Sequence, residues 1–467
     1  MPIDVPPYFV DVYTRADISS FYREEPGSRT EVKPKFNGQA GKFINISPFR
    51  LDLYWESDHG KPYYIQAVGP WESGGTASFP SHNFFFQRKD TKEIVCRWVV
   101  QDGVSLYYYD PYVNEGDDAE FVAAQGEYAP SFMKLPVERL NARNRENYEG
   151  HRFNLKFATQ YKNFTGGSEW LAHYPKNPPL HKIWRADYYG QEHVVQSYET
   201  QFREIPPEAD AGIDGKAFAI KRNSSADIAY PQYRDTGMMN ITITAVSAAP
   251  RAFQIENFLS EVEVDHILDV VQGRYKLKRS TTGNVGGKDE SEMSDTRTSK
   301  NTWVPRDASP ILDAIYRRVS DALRLDEALL RKRSPAEPRP RAVETFGEGD
   351  WRSLEPINEQ MQIVHYDKTE EYTAHHDFGY SEEVSRSINF CIYLNEGMKG
   401  GETSFPRWRN AETSDGMNMK PEKGKAMIFY MVNPDGNLDD LTQHAALPVR
   451  EGEKWFSNLW IWDPYRT

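Results

Sequence analysis

The chain has 467 residues and a formal net charge of −13, with 11 Trp, 27 Tyr and 24 Phe. That length accommodates two or three domains with sizeable cores, and the aromatic content suits β-rich packing. An acidic balance without a basic stripe argues against non-specific nucleic-acid binding, and no apolar run nears the roughly 20 residues that a membrane-spanning helix needs.

The opening stretch "MPIDVPPYFVDVYTRADIS" lacks a charged region followed by an apolar core, so as written it does not read as a signal peptide. Residues 40–110 read as strands. In "FRLDLYW" Phe49, Leu51, Leu53 and Trp55 alternate onto one face, and "EIVCRWVV" and "VSLYYY" follow between polar turns. The acidic run "NEGDDAEF" at 114–121 marks a boundary, giving a β-rich domain over 1–115 and a second β-rich, irregular region over 116–249. Cys96 and Cys391 are too few for a disulfide framework and favour a reducing compartment. Four N-x-S/T sequons at Asn45, Asn163, Asn223 and Asn240 keep a secretory-pathway origin open.

At residue 250 the pattern changes. A short strand leads to Ser260, an N-cap with Glu263 three residues on, and then to the helical stripe Val264, Ile267, Leu268 and Val271. A second helix starts at Ser309-Pro310 and turns Ile311, Leu312, Ile315 and Val319 inward. Residues 331–351 form a Pro- and charge-rich surface excursion, and "GNVGG" at 283–287 lacks the strand–turn–helix setting of a phosphate loop. The strands "MQIVHY", "SINFCIYL", "KAMIFYM" and "KWFSNLWIW" follow. The whole is expected to be α+β, with a double-stranded β-helix (jelly roll) and supporting helices over 250–467.

The chemistry concentrates in "EYTAHHDFGY", 371–380. On a strand, residues i and i+2 share a face, so His375 sits beside Asp377 while His376 points away and reads as structural. Downstream only His444 remains among the 11 histidines. A structural reading of His444 by itself stays open. Together His375, Asp377 and His444 make the two-histidine, one-carboxylate set of non-haem Fe(II) oxygenases, which leaves coordination positions free. Ten residues later Lys454 opens a strand on which Phe456, Asn458, Trp460 and Trp462 share its face. Either it is a solvated strand-end charge, or it is the cation that pairs with the distal carboxylate of 2-oxoglutarate.

Residues 250–467 resemble the catalytic domain of the prolyl 4-hydroxylases, in the 2-oxoglutarate/Fe(II) dioxygenase superfamily. The segments "FQIENFLSEVEVDHI", "SDTRTSKNTWV", "MQIVHYDKTEEYTAHHDF" and "RSINFCIYLNEGMKGGETSFP" carry the resemblance, together with the stretch from "KPEKGKAMIFYM" to "KWFSNLWIW". It implies iron at His375, Asp377 and His444, the distal carboxylate of 2-oxoglutarate on Lys454, and Tyr366 and Thr403 hydrogen-bonding that cosubstrate. Tyr372, Arg386 and Trp460 match positions that line the peptide site. The implied reaction takes O₂ and a proline-containing peptide or protein, releases succinate and CO₂, and uses L-ascorbate to rescue oxidised enzyme. Where the family commonly has a histidine two residues after the tryptophan, this chain has Trp462. The same chemistry on another side chain or a small molecule is the first alternative, and a non-catalytic binding scaffold the second. "INISPFRLDLYWES" and "SFPSHNFFF" resemble the β-domain of the von Hippel–Lindau protein, implying a docking module beside the catalytic domain.

Overall fold

The computed structural model describes residues 39–102, 104–112, 126–128, 135–164, 170–171, 181–204, 217–220, 232–280, 297–337, 354–378, 386–408, 417–434 and 436–462. The acidic run at 114–121, the sequon at Asn223, the glycines at 283–287 and most of the excursion at 331–351 lie outside them. The chain is a mixed α/β protein with several antiparallel sheets.

Near the N-terminus, a five-stranded sheet and a three-stranded sheet share one core. Leu51 and Leu53 turn inward with Phe84 and Phe86, and Phe49 and Trp55 pack against them, as the alternation in "FRLDLYW" requires. Asn45 is fully buried and its amide donates to the carbonyls of Phe49 and Gly69, so this sequon is closed to a glycan.

The region read as irregular and β-rich contains a 23-residue helix, α1 (Ala142–Phe164). Its buried residues Tyr148, Leu155, Ala158 and Tyr161 recur at helical spacing. The Arg, Asn, Glu and Lys residues between them dilute that periodicity, and His151 and Asn154 occupy two further buried positions where an apolar residue would be looked for. Tyr161 meets the Asn437 amide at 3.3 Å, and Asn437 Oδ1 accepts from the Leu171 backbone at 2.8 Å. This ties the helix region to the loop that leads toward His444.

Two further helices follow, α2 (Glu261–Arg274) and α3 (Pro310–Leu323). Ser260 and Glu263 form the capping box, and Ser309 caps α3 with Pro310 behind it. Both helices share a core with one face of a nine-stranded antiparallel sheet, to which Ile388, Phe390, Ile392, Leu459 and Ile461 belong. The alternate residues Cys391, Tyr393, Phe456 and Trp460 join a second core with Phe405 and Met419 of a four-stranded sheet. The period of two thus divides each central strand between helix support and an inner, sheet-to-sheet space. The large sheet also crosses residue 250, because Met239–Ala248 pairs with Arg251–Ile255 and Glu192–Ser197 pairs with Met239–Ala248.

Arg318 on α3 is wholly buried and bidentate to Glu263, at 2.6 and 2.9 Å, and donates to the carbonyls of Phe258, Glu199 and Thr200. Removing one partner of such a pair strands the other charge. Arg318→Ala is therefore expected to lower the unfolding free energy by about 3–5 kcal/mol, read by urea denaturation.

Candidate active site

Both histidines of the candidate metal set come from the four-stranded sheet. His375 ends the strand Tyr372–His375 and His444 opens His444–Ala446, and the two are direct cross-strand partners. Their ring centroids are 4.5 Å apart. His375 Nδ1 lies 2.8 Å from the Thr373 carbonyl, and His444 Nδ1 lies 3.0 Å from that of Thr442. A carbonyl only accepts, so both protons sit on Nδ1 and both Nε2 atoms present lone pairs. Asp377 follows just past the strand, with Oδ1 3.4 Å from His375 Nε2 and Oδ2 3.4 Å from His444 Nε2. One ligand atom from each residue lies within 4.8 Å of the others, a spacing that could hold a metal ion.

Electrostatics favour the same set. Burial opposes charge on Asp377, but the protonated forms of His444 and His375 outweigh it in acid and hold the carboxyl far below the usual range. Burial, partly opposed by Asp377, lowers His444 to about 4, which leaves the imidazole neutral as a metal requires. His376 points elsewhere, its Nε2 3.1 Å from the Asp440 carbonyl oxygen. A second acidic cluster, His365, Asp367 and Glu453, is already satisfied: His365 meets Glu453 at 2.7 Å and Asp367 meets Lys300 at 2.6 Å.

Lys454 is 1% exposed, and its Nζ has no hydrogen-bond partner among the described residues. It faces the rings of Phe456, Tyr366 and Tyr393 at 4.7, 5.4 and 5.6 Å. Tyr393 donates to Thr403 Oγ1 at 2.9 Å, so Tyr366, Thr403 and Lys454 are linked through a residue that the sequence reading omitted. Gly401 holds φ +76°, and a Cβ there would stand 3.3 Å from Lys454 Cδ. Burial lowers the amine to about 7, against the opposing pull of Cys391 and Glu402. A buried, unpartnered ammonium is costly unless an anion joins it, so the pocket fits a ligand carboxylate.

Regular pleating would put Tyr372 on the face opposite His375. The pairing register shifts between these residues, and the Tyr372 ring stacks on His375 with centroids 3.6 Å apart. Arg297 covers the Tyr372 ring at 4.6 Å. Arg386 is bidentate to Glu359, at 2.5 and 2.8 Å, and its guanidinium lies 3.9 Å from the Trp460 ring. Trp462 Nε1 donates to the same Glu359 carboxylate at 3.1 Å. Trp460 Nε1 and Asn389 Nδ2 each donate to Asp377 Oδ2 at 2.8 Å. Glu359, Asn389 and Tyr393 were not singled out from the sequence. Asn389 and Tyr393 carried a usable signal, as polar groups on alternate positions of the apolar strand "SINFCIYL".

Residues 361–462 match the family model described as the 2OG-Fe(II) oxygenase superfamily, and the chain is a member of that superfamily. It is 31% identical over 241 residues to Probable prolyl 4-hydroxylase 4 of Arabidopsis thaliana, covering 47% of this chain and 70% of the relative. Prolyl 4-hydroxylase 2 of the same plant is 30% identical over 241 residues, covering 47% and 69%. Within the superfamily this chain belongs to the prolyl 4-hydroxylase family. Among solved structures, the viral collagen prolyl hydroxylase of Paramecium Bursaria Chlorella virus-1 aligns over 45% of this chain and 95% of its own, at 22% identity and a TM-score of 0.31. No helix among the described residues is long and apolar enough to cross a membrane.

Proposed function

We propose that the chain hydroxylates a prolyl residue in a peptide or protein, using Fe(II) and 2-oxoglutarate within a double-stranded β-helix. The observation that carries this is the pairing of the His375–Asp377–His444 set with the unpartnered Lys454 amine, which is near enough for its charge to act on His444. In this reading His375, Asp377 and His444 hold the metal. Lys454 pairs with the distal carboxylate of 2-oxoglutarate, and the Tyr366, Tyr393 and Phe456 rings keep water from that contact. Iron and 2-oxoglutarate together would supply O₂ activation and insertion of one oxygen into a substrate C–H bond, with succinate and CO₂ as co-products. Tyr372, Arg386 and Trp460 wall the side from which a peptide approaches, the aromatic faces suiting a pyrrolidine ring. The catalytic residues fall in 250–467, whose large sheet is completed by Glu192–Ser197 and Met239–Ala248. The β-rich domain of 1–115, which takes a fifth sheet strand from Glu127–Tyr128, and the rest of 116–249 bind or brace it.

Incubation with Fe(II), 2-oxoglutarate, ascorbate and a panel of Pro-rich and Pro-free peptides tests the assignment by mass. One added oxygen on proline, dependent on 2-oxoglutarate, is expected. Oxygen added only to Pro-free substrates would sink the prolyl reading and favour the alternative target. Trp462, spending its N–H on Glu359, is the feature that favours that alternative.

The cosubstrate step has a pH signature. With no anion beside it, burial leaves Lys454 charged below about 7 and neutral above. A carboxylate binds the charged form, so affinity is full below that value and falls by up to about tenfold per pH unit above it. Titration of 2-oxoglutarate between pH 6 and 9 by calorimetry measures this. A flat affinity would remove the amine from the contact.

A further inference from the structure

We infer that Asn389 is a positioning residue for the metal carboxylate: with Trp460 it commits Asp377 Oδ2 to hydrogen bonding and leaves Oδ1 as the ligand atom. This deepens the proposed metal site and rests on that reading. Both N–H groups reach the same oxygen at 2.8 Å. An oxygen that accepts two strong donors has little electron density and little open solid angle left for an ion.

Each donor is braced from behind. Asn389 Oδ1 accepts from the Cys391 thiol at 3.1 Å, while its Nδ2 also reaches Asn458 Oδ1 at 3.4 Å. Turning the amide over would set its oxygen against the Asp377 and Asn458 oxygens, so the network fixes which end faces the carboxylate. Asn458 is in turn held through its own amide to Gln362 at 3.3 Å. Trp460 is clamped by the Arg386 guanidinium, itself held by Glu359.

The consequence concerns the count of open positions. A carboxylate that bound through both oxygens would take a fourth coordination position. One-oxygen binding keeps three, two for a chelating keto acid and one for O₂. Asn389 therefore acts before any chemistry, in the binding of the metal itself.

Co(II) titration of the full metal-free chain, read by visible absorption, tests this without turnover. Asn389→Leu is expected to weaken Co(II) binding by about 10–100-fold, the range typical of groups that orient a ligand, and to shift the absorption bands. Trp460→Phe should act in the same direction, and the double variant should lose more than either. The melting curve of the metal-free protein establishes folding, and Asn389→Ser carries the test if the leucine variant does not fold. Wild-type affinity and spectrum in a folded Asn389 variant would overturn the role of Asn389. No Co(II) bound by the wild-type chain would instead overturn the metal site.

Discussion

His375→Ala, Asp377→Ala and His444→Ala are each expected to reduce iron-dependent turnover to background, while His376→Ala keeps it. The two adjacent histidines differ in what they face. His375 is paired across the sheet with His444 and beside Asp377, with its Nε2 lone pair free. His376 is directed at the Asp440 backbone, and burial holds it neutral. Losing that hydrogen bond leaves the Asp440 carbonyl half-buried and still accepting from the Gln443 N–H, so it costs on the order of 1 kcal/mol of stability without touching the ligand set. Turnover and Fe(II) affinity measured on all four variants decide the matter. An active His375→Ala beside a folded, inactive His376→Ala would reverse the assignment.

Lys454→Met should raise the KM for 2-oxoglutarate by on the order of a hundredfold, equivalent to about 2.7 kcal/mol. The same substitution should stabilise the metal-free protein. The amine falls from its ordinary 10.5 to about 7 on folding. The unfolded chain therefore binds the extra proton between those values, and the folded state carries the full cost of charge below about 7. Replacing Lys454 by an apolar side chain of similar length removes a penalty on the order of a few kcal/mol, largest at acidic pH. Denaturant curves at pH 6 and 9 measure it: the gain should shrink as pH rises. A destabilised Lys454→Met at pH 6, with unchanged KM, would contradict both halves of the argument.

The site was legible in the sequence where geometry is local. The H-x-D spacing needs only the period of a strand, and a single downstream histidine left one choice for the third ligand. The caps at Ser260 and Ser309 are equally local, and both form as read. What needed the third dimension was lost. Glu359 has no pattern around it, yet it holds Arg386 and Trp462 at once. The resemblance places Tyr372 at the site against the alternation rule, and it reaches the His375 ring through the bend that this placement requires, a register shift in the pairing. The helix α1 hid because its buried face carries His151 and Asn154 among its aromatics, which weakens a period that apolarity alone is used to detect.

The large sheet that runs past residue 250 sets how the molecule can be dissected. A fragment cut there would lose the strands Met239–Ala248 and Glu192–Ser197 and open Arg251–Ile255 as a bare edge. Phe253 and Ile255 of that edge would lose Ile241, Ile243 and Trp184 from their shared core. Arg318 would lose the Glu199 and Thr200 carbonyls, and the Ala322 carbonyl would lose the Trp184 indole. Exposed apolar edges recruit other chains, so such a fragment carries an aggregation liability whatever the state of its ligand set. A piece that is to fold by itself must start upstream of His181, whose ring reaches the Trp462 carbonyl at 2.6 Å at the far end of the last strand.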